Sequence, residues 1–212
     1  VTGVQTCALP ICGCGQAALT AGGRLRARWS RRRQGLLLPW RLRQLPVCAS
    51  TEDELSRWLA TGAQAPLAVI ARRQRFGRGQ HGRRWQSPAG GLWISAALPW
   101  TAPAPPPSGL PLLMAEALAA ELAPLGLPLV IKPPNDLMLD GRKLAGMLSA
   151  VVWRGSVARQ LRFGIGLNGR HPMPIPAVSL RDRLGSRCPP WPDLVLLGLR
   201  ALERCGRMAA GS

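Results

Sequence analysis

Gly77, Gly79 and Gly82 alternate with Arg78, Gln80, His81, Arg83 and Arg84 within the stretch Ala71–Gly91. Glycine admits positive φ and lets backbone N–H groups approach a ligand with no Cβ in the way. Arginine offers a rigid fork of donors that matches carboxylate and phosphate. Together these residue types describe a loop that holds an anionic small molecule. A solvated basic turn would use the same residues. The order strand, loop, strand rejects a dinucleotide fingerprint, which needs a helix after the glycines. The Gly-Lys-[Ser/Thr] ending of a phosphate-binding P-loop is absent.

A second constellation runs from Ile131 to Gly146 and carries Lys132, Asn135, Asp136 and Lys143. Pro133 and Pro134 fix a turn ahead of Asn135. Asp140-Gly141 is a strong hairpin signal, and its two arms fold Lys143 back towards Asp136. A Lys–Asp pair beside a basic glycine loop suits attack of a carboxylate on a phosphate. The lysine neutralises developing charge, and the aspartate orients it or holds Mg²⁺. The alternative is an exposed turn with a surface ion pair, which contributes little. Only two of the 28 basic residues are lysines, and the only asparagines are Asn135 and Asn168. A composition that avoids these residues still gathers both lysines and one asparagine between Lys132 and Lys143.

The elements that must position these groups follow from pattern. Arg41–Cys48 reads as a strand or lead-in. Thr51-Glu52-Asp53-Glu54 can form a capping box. Leu55, Trp58 and Leu59 then share a helical face, with Gly62 as the stop. Strands are predicted at Leu67–Arg72 and Leu92–Leu98, around the glycine loop. Pro99–Pro111 reads as a loop and Pro111 to about Ala123 as a helix. Leu129–Lys132 and Leu137–Leu139 are short strands. Arg142–Val152 and Gln160–Leu167 are longer ones, joined at Arg154-Gly155. A last helix is expected from Asp193 to about Arg204, with Gly198 an awkward residue in its middle.

At 212 residues, 47% of them hydrophobic, the chain can build one ordinary domain. The formal charge of +18 would normally suggest nucleic acid or an anionic surface. The excess of arginine over lysine and the absence of tyrosine fit a GC-rich gene instead. The six cysteines form no paired C-x-x-C frame and both histidines stand apart from any cysteine pair. No metal site held by the protein alone and no disulfide framework is expected, which fits a reducing, cytoplasmic compartment. No apolar run is long enough to span a membrane.

Four motifs occur together. They are Gln74-x-x-Gly-Arg-Gly-x-x-Gly-Arg-x-Trp85-x-Ser-Pro-x-Gly90, Lys132-x-Pro-Asn-Asp136, Gly141-Arg-Lys-Leu-Ala-Gly146 and Gly164-x-Gly-x-Asn168. In order and spacing they resemble the biotin–protein ligases, over roughly Val47 to Asn168. The resemblance implies an α/β (α+β) fold related to class II aminoacyl-tRNA synthetases, a mixed sheet backed by helices. It implies two steps: biotin and ATP give biotinyl-adenylate, and a lysine of the biotin carboxyl carrier protein of acetyl-CoA carboxylase then takes the biotin. Biotin, ATP and Mg²⁺ are the implied small molecules.

By matching position, Ser50, Thr51, Gln74, Gly77, Arg78, Gly79, Gln80, Lys143 and Gly146 should surround biotin, with Gly164 and Gly166 beneath it. Arg78, Gly82, Arg83, Trp85, Lys132, Asn135 and Asn168 should surround the nucleotide, Asn168 near the adenine. Arg78, Lys143 and Asp136 are the candidates for chemistry, Asp136 being the one that could steer Mg²⁺. Three positions depart from the family pattern. Glu52 stands where asparagine is usual, Gln80 where many members have arginine, and Pro133 where tryptophan is usual. The loss of a cation at Gln80 predicts faster release of the adenylate.

Residues 1–11 resemble a translated sequencing adapter and are set aside as an artefact. Residues 12–40 read as a disordered lead-in, 41–185 as the catalytic domain, and 186–212 as a C-terminal helix and tail. No helix-turn-helix pattern precedes Val47, so operator DNA is not an expected partner. The SH3-like domain that usually ends the family is expected to be absent or truncated. Two other readings remain: a non-catalytic basic binding protein, and a lipoate–protein ligase-like enzyme. Binding to a phosphate backbone would fall steeply with salt, whereas binding in a closed pocket would not.

Overall fold

The computed structural model describes residues 35–173 and 176–211. The readings for residues 1–11 and 12–34 lie outside the described residues. From Leu36 onward the described residues belong to one compact unit.

The eight strands are β1 (Arg41–Cys48), β2 (Leu67–Arg78), β3 (Arg84–Ser87), β4 (Leu92–Pro99), β5 (Leu129–Lys132), β6 (Asp136–Leu139), β7 (Arg142–Arg154) and β8 (Val157–Leu167). They form one mixed sheet in the order β1-β2-β4-β8-β7-β6-β5, with β3 paired to β2. Only β1 and β2 run parallel; the other pairings are antiparallel. The helices are α1 (Thr51–Ala60), α2 (Leu110–Leu122), α3 (Leu180–Leu184) and α4 (Trp191–Ala210). The mixed sheet backed by helices is the fold that the motifs implied.

Side-chain alternation divides the sheet into two faces. On β4, Leu92 and Leu98 meet α4: a Cβ at Gly198 would lie 2.6 Å from Leu92 Cδ2, and one at Gly206 would lie 3.4 Å from Leu98 Cδ1. Trp93, Ser95 and Ala97 point the other way. There Ala97, Leu67 and Val69 pack with Leu55 and Trp58 of α1. Leu55 is fully buried, which stabilises the fold by about 1.5–3 kcal/mol. The capping box expected at Thr51-Glu52-Asp53-Glu54 does not form: the N-cap is Ser50, whose hydroxyl accepts from Glu52 N at 3.2 Å, while Thr51 Oγ1 turns to Gln74 and Ser95.

Asp140 and Gly141 both have positive φ (50° and 72°) and close the β6–β7 hairpin as expected. Three expectations are corrected. Strand β2 continues six residues past Arg72 and pairs with β3, a strand that the reading omitted. Most arginines of that extension are exposed, so they join a sheet without being desolvated. The open loop shrinks to Gly79–Arg83, with a 3-10 turn at Gln80–Gly82.

Helix α4 is also longer than expected, from Trp191 to Ala210, and is part of the core rather than a tail. Leu194, Val195, Leu199 and Leu202 are fully buried, and Arg204 pairs with Glu121 of α2 at 2.9 Å. Gly198 is tolerated because it lets α4 approach Leu92 closely. The described end of the lead-in, expected to be disordered to about Pro39, is tied down. Leu37 N, Leu38 N and Trp40 Nε1 donate to the carboxylate of Glu203, itself on α4, at 2.9–3.0 Å.

Candidate functional site

A cavity of about 610 Å³ opens on the α1 face of the sheet, under the Gly79–Arg83 loop. Its floor follows from strand register. Gly166 faces Gly146, Gly164 faces Leu148 and Ser95, and Arg162 faces Ala150. The first two rows carry glycine on β8: Trp85 covers the Gly166 row, while Gly164 leaves the middle of the floor open, with only Leu148 in ordinary contact. From the Gly166 row to the Arg162 row is four residues of strand, about 13 Å.

One wall is a fixed hydrogen-bond network. Gln74 Oε1 accepts from Thr51 N at 2.8 Å and from Thr51 Oγ1 at 3.0 Å. Gln74 Nε2 donates to Ser87 Oγ at 2.8 Å, and Thr51 Oγ1 lies 2.8 Å from Ser95 Oγ. Both Gln74 groups are therefore held in orientation. Ser50 is cap of α1 and cavity lining at once, and Thr51 lines the cavity from the first turn.

The Gly166 end is cationic and aromatic. Lys143 Nζ lies 2.6 Å from Asp136 Oδ1 and 5.0 Å from the centre of the Trp85 ring. A Cβ at Gly166 would meet the Trp85 indole at 2.7 Å, and one at Gly146 would meet it at 3.0 Å. Trp85 is thus the roof over these glycines. Its Nε1 is buried and has no hydrogen-bond partner. Arg83 and Asn135 also line the cavity, and Asn135 is fixed by its donation to Met147 O at 2.9 Å.

The cavity therefore gathers Ser50, Thr51, Gln74, Arg78, Gly79, Gln80, Arg83, Trp85, Asn135, Lys143, Gly146, Gly164 and Gly166. Five expected members lie outside its lining. A Cβ at Gly77 would come within 2.5 Å of Trp85 O, so this glycine serves the close β2–β3 pairing. Gly82 has φ +73° and serves the turn. Lys132 is exposed on β5. Asp136 stands behind Lys143 as its ion partner. Asn168, expected near the adenine, is 1% exposed and donates from Nδ2 to Lys143 O and Val178 O. It fixes the backbone that carries Lys143.

Arg78 lines the cavity, but its guanidinium pairs with Asp53 of α1 at 2.7 Å and is largely exposed. Ser95, Arg84 and Arg162 line the cavity and were missed. Ser95 had a signal, as the one polar residue inside the apolar strand Leu92–Leu98. Glu52, noted only as a departure, lines it too. Burial pushes its carboxyl above the usual range; Arg162, a hydrogen bond from Ser95 and Arg78 partly offset this. Among the described residues no group of three or more metal-ligating side chains exists, and no helix is long and apolar enough to cross a membrane.

The cavity thus combines an open Gly164 floor, an amide-and-hydroxyl wall and a lysine at one end. The chain belongs to the Biotin/lipoate A/B protein ligase family, whose model matches residues 45–168. It is 40% identical to the bifunctional ligase/repressor BirA of Escherichia coli (strain K12), over 58% of this chain and 39% of that protein. It is 33% identical to the biotin–[acetyl-CoA-carboxylase] ligase of Paracoccus denitrificans, over 66% of this chain and 62% of that one. Among solved structures, the biotin protein ligase from Aquifex aeolicus in complex with biotin and ATP superposes with a TM-score of 0.66 at 25% identity. That match covers 81% of this chain and 72% of the other. The chain thus spans well under half the length of the E. coli relative.

Proposed function

We propose that this chain is an ATP-dependent biotin–protein ligase. The observation that carries the reading is one cavity holding the oriented Thr51–Gln74–Ser87 network, the bare Gly164 floor and Lys143. It is supported by the similar Aquifex protein, solved with biotin and ATP.

The ligand lies along the floor with its carboxylate towards Lys143. The lysine, held by Asp136, neutralises the carboxylate as it approaches the α-phosphate of ATP. The new C–O–P bond forms as pyrophosphate leaves, giving biotinyl-5′-AMP. The Gly79–Arg83 loop brings backbone N–H groups and Arg83 to the phosphate side and screens the mixed anhydride from water. An amine from a lysine of a carrier protein then attacks the anhydride carbonyl, and AMP leaves. The biotin carboxyl carrier domain of acetyl-CoA carboxylase is the partner suggested by the Paracoccus relative's name. This chemistry belongs to the cytoplasm.

Mg²⁺ would offset phosphate charge in the first step. Asp136 is engaged by Lys143, and among the described residues no group of three or more metal-ligating side chains exists. These residues alone do not fit a metal cage, and no step here is routed through the ion.

Mass-spectrometric detection of biotinyl-adenylate from biotin, ATP and Mg²⁺ tests the reading. Adenylate is expected from the parent and not from Lys143→Ala. A parent that binds no biotin overturns it.

A further inference from the structure

Lys143 and Arg83 answer the charge that develops in the first step, but neither can serve the second. A carrier lysine arrives as an ammonium, and its nitrogen attacks only after giving up a proton. A group at the mouth of the cavity has to take that proton. Among the described residues that line the cavity, the side chains able to do so are Glu52 and His81. Glu52 is engaged by Arg162, with Oε1 and Nη1 3.7 Å apart, and the Arg162 row lies about 13 Å along the floor from the Gly166 row. Asp136 is held by Lys143 at 2.6 Å. His171, the other histidine, is 6% exposed and lies outside the lining.

The loop gives His81 its place. Gly79 N donates to Arg83 O at 2.7 Å and Arg83 N donates to Gln80 O at 3.1 Å, so the turn is closed at its base. His81 stands at the tip in the left-handed region, with φ 55° and ψ 35°. Few residues other than glycine sit there, and histidine is one that tolerates it. The residue is exposed to the solvent from which a carrier arrives, and it also lines the cavity. The strand that leaves the loop carries Trp85, which faces Lys143 Nζ at 5.0 Å. The loop therefore belongs to the end where the mixed anhydride forms.

We propose that His81 is the catalytic base of the transfer step. A ring nitrogen of His81 takes one proton from the carrier ammonium, which frees the lone pair of the amine. The amine nitrogen forms the C–N bond to the anhydride carbonyl; the C–O bond to phosphate breaks, and AMP leaves with its electron pair. The second proton of the new amide nitrogen passes to water, and the exposed imidazolium returns its own proton to solvent. This rests on the biotin–protein ligase reading.

Transfer from enzyme-bound biotinyl-adenylate, supplied ready-made to the whole chain, tests this. Two acceptors are compared, each in excess. One is a biotin carboxyl carrier domain, whose lysine is an ammonium. The other is hydroxylamine, which is uncharged at neutral pH and needs no base. His81→Asn keeps a side chain suited to the left-handed position and cannot take the proton. H81N should slow the maximal rate of transfer to the carrier roughly a hundredfold, with the carrier concentration at half-maximal rate and the transfer to hydroxylamine both within about threefold of the parent. His81→Ala should behave alike and regain about tenfold in rate when imidazole is added. A parent that transfers biotin, with H81N equal to it on the carrier, equally slowed on both acceptors, or altered only in its half-maximal carrier concentration, overturns this proposal alone. A parent that transfers biotin to neither acceptor overturns the proposed function with it.

Discussion

The Trp85 indole lies so close over Gly166 that a Cβ there would meet its Nε1 and Cε2 at 2.7 Å. The same side chain faces Lys143 Nζ at 5.0 Å. A glycine on β8, an aromatic roof from β3 and a cation from β7 are therefore one packing unit. Gly164, two residues away on the same face, has only ordinary contact with Leu148 at 3.5 Å. Gly166→Ala should accordingly displace Trp85, cost about 1–3 kcal/mol of stability and weaken biotin binding. Gly164→Ala should cost under about 1 kcal/mol. Chemical denaturation of the two variants checks the contrast, and equal losses would contradict it.

The Lys143–Asp136 pair sits at the edge of the cavity, with the lysine 36% and the aspartate 21% exposed. Solvent screens such a pair, so its effect on stability is modest. Its effect on chemistry should be larger, because Asp136 sets where the ammonium sits. Asp136→Asn is expected to slow adenylate formation roughly tenfold, about 1.4 kcal/mol, with melting temperature nearly unchanged. A rate equal to the parent's would remove Asp136 from the positioning of Lys143.

Gln80 lines the cavity beside Gly79 and Arg83, at the position where the motif pattern more often has arginine. Gln80→Arg should slow dissociation of biotinyl-adenylate, by roughly tenfold if one charge-assisted hydrogen bond to the phosphate is gained. Stopped-flow release of the intermediate reads this directly. Unchanged release would show that this side chain does not reach the phosphate.

Where sequence legibility failed, the reasons are physical. The Asp140-Gly141 hairpin was readable because it depends on local residues alone. Strand β3 was not, since Arg84-Trp85-Gln86-Ser87 carries no apolar alternation and exists by pairing with β2. The motifs marked Asn168 as important, but its contacts with Lys143 O and Val178 O join distant segments. Arg162 carries no motif signal, and only strand register puts it on the floor row. Glu203 carries no motif signal either, because the three donors that converge on it come from the distant lead-in.

That convergence has a stability consequence. Glu203 is 4% exposed. Glu203→Ala would leave Leu37 N, Leu38 N and Trp40 Nε1 without their acceptor. Since part of this cluster can reach water, the expected loss is about 2–4 kcal/mol rather than the sum of three buried orphans. Urea denaturation checks it. A loss under about 0.5 kcal/mol would mean that the lead-in contributes nothing to the fold.

The buried thiols give a prediction in pH. Burial pushes Cys205 up to about 12, with the Glu116 carboxylate adding to the shift. Burial likewise pushes Cys48 up to about 11, Glu54 and Asp53 adding and Arg57 partly offsetting. Below the ordinary value of 9.0, folded and unfolded chains both keep these thiols protonated, so they add no pH dependence. Above it the unfolded chain ionises first, and stability falls as pH rises from about 9 through about 11 and then 12. At pH 8 both thiols should resist alkylation in the folded protein, because the thiolate is the reactive form. Iodoacetamide labelling read by mass spectrometry should modify Cys48 and Cys205 only after urea is added. Labelling of Cys205 in native buffer at its denatured rate would show that α4 opens on that timescale and is not the fixed core helix described above.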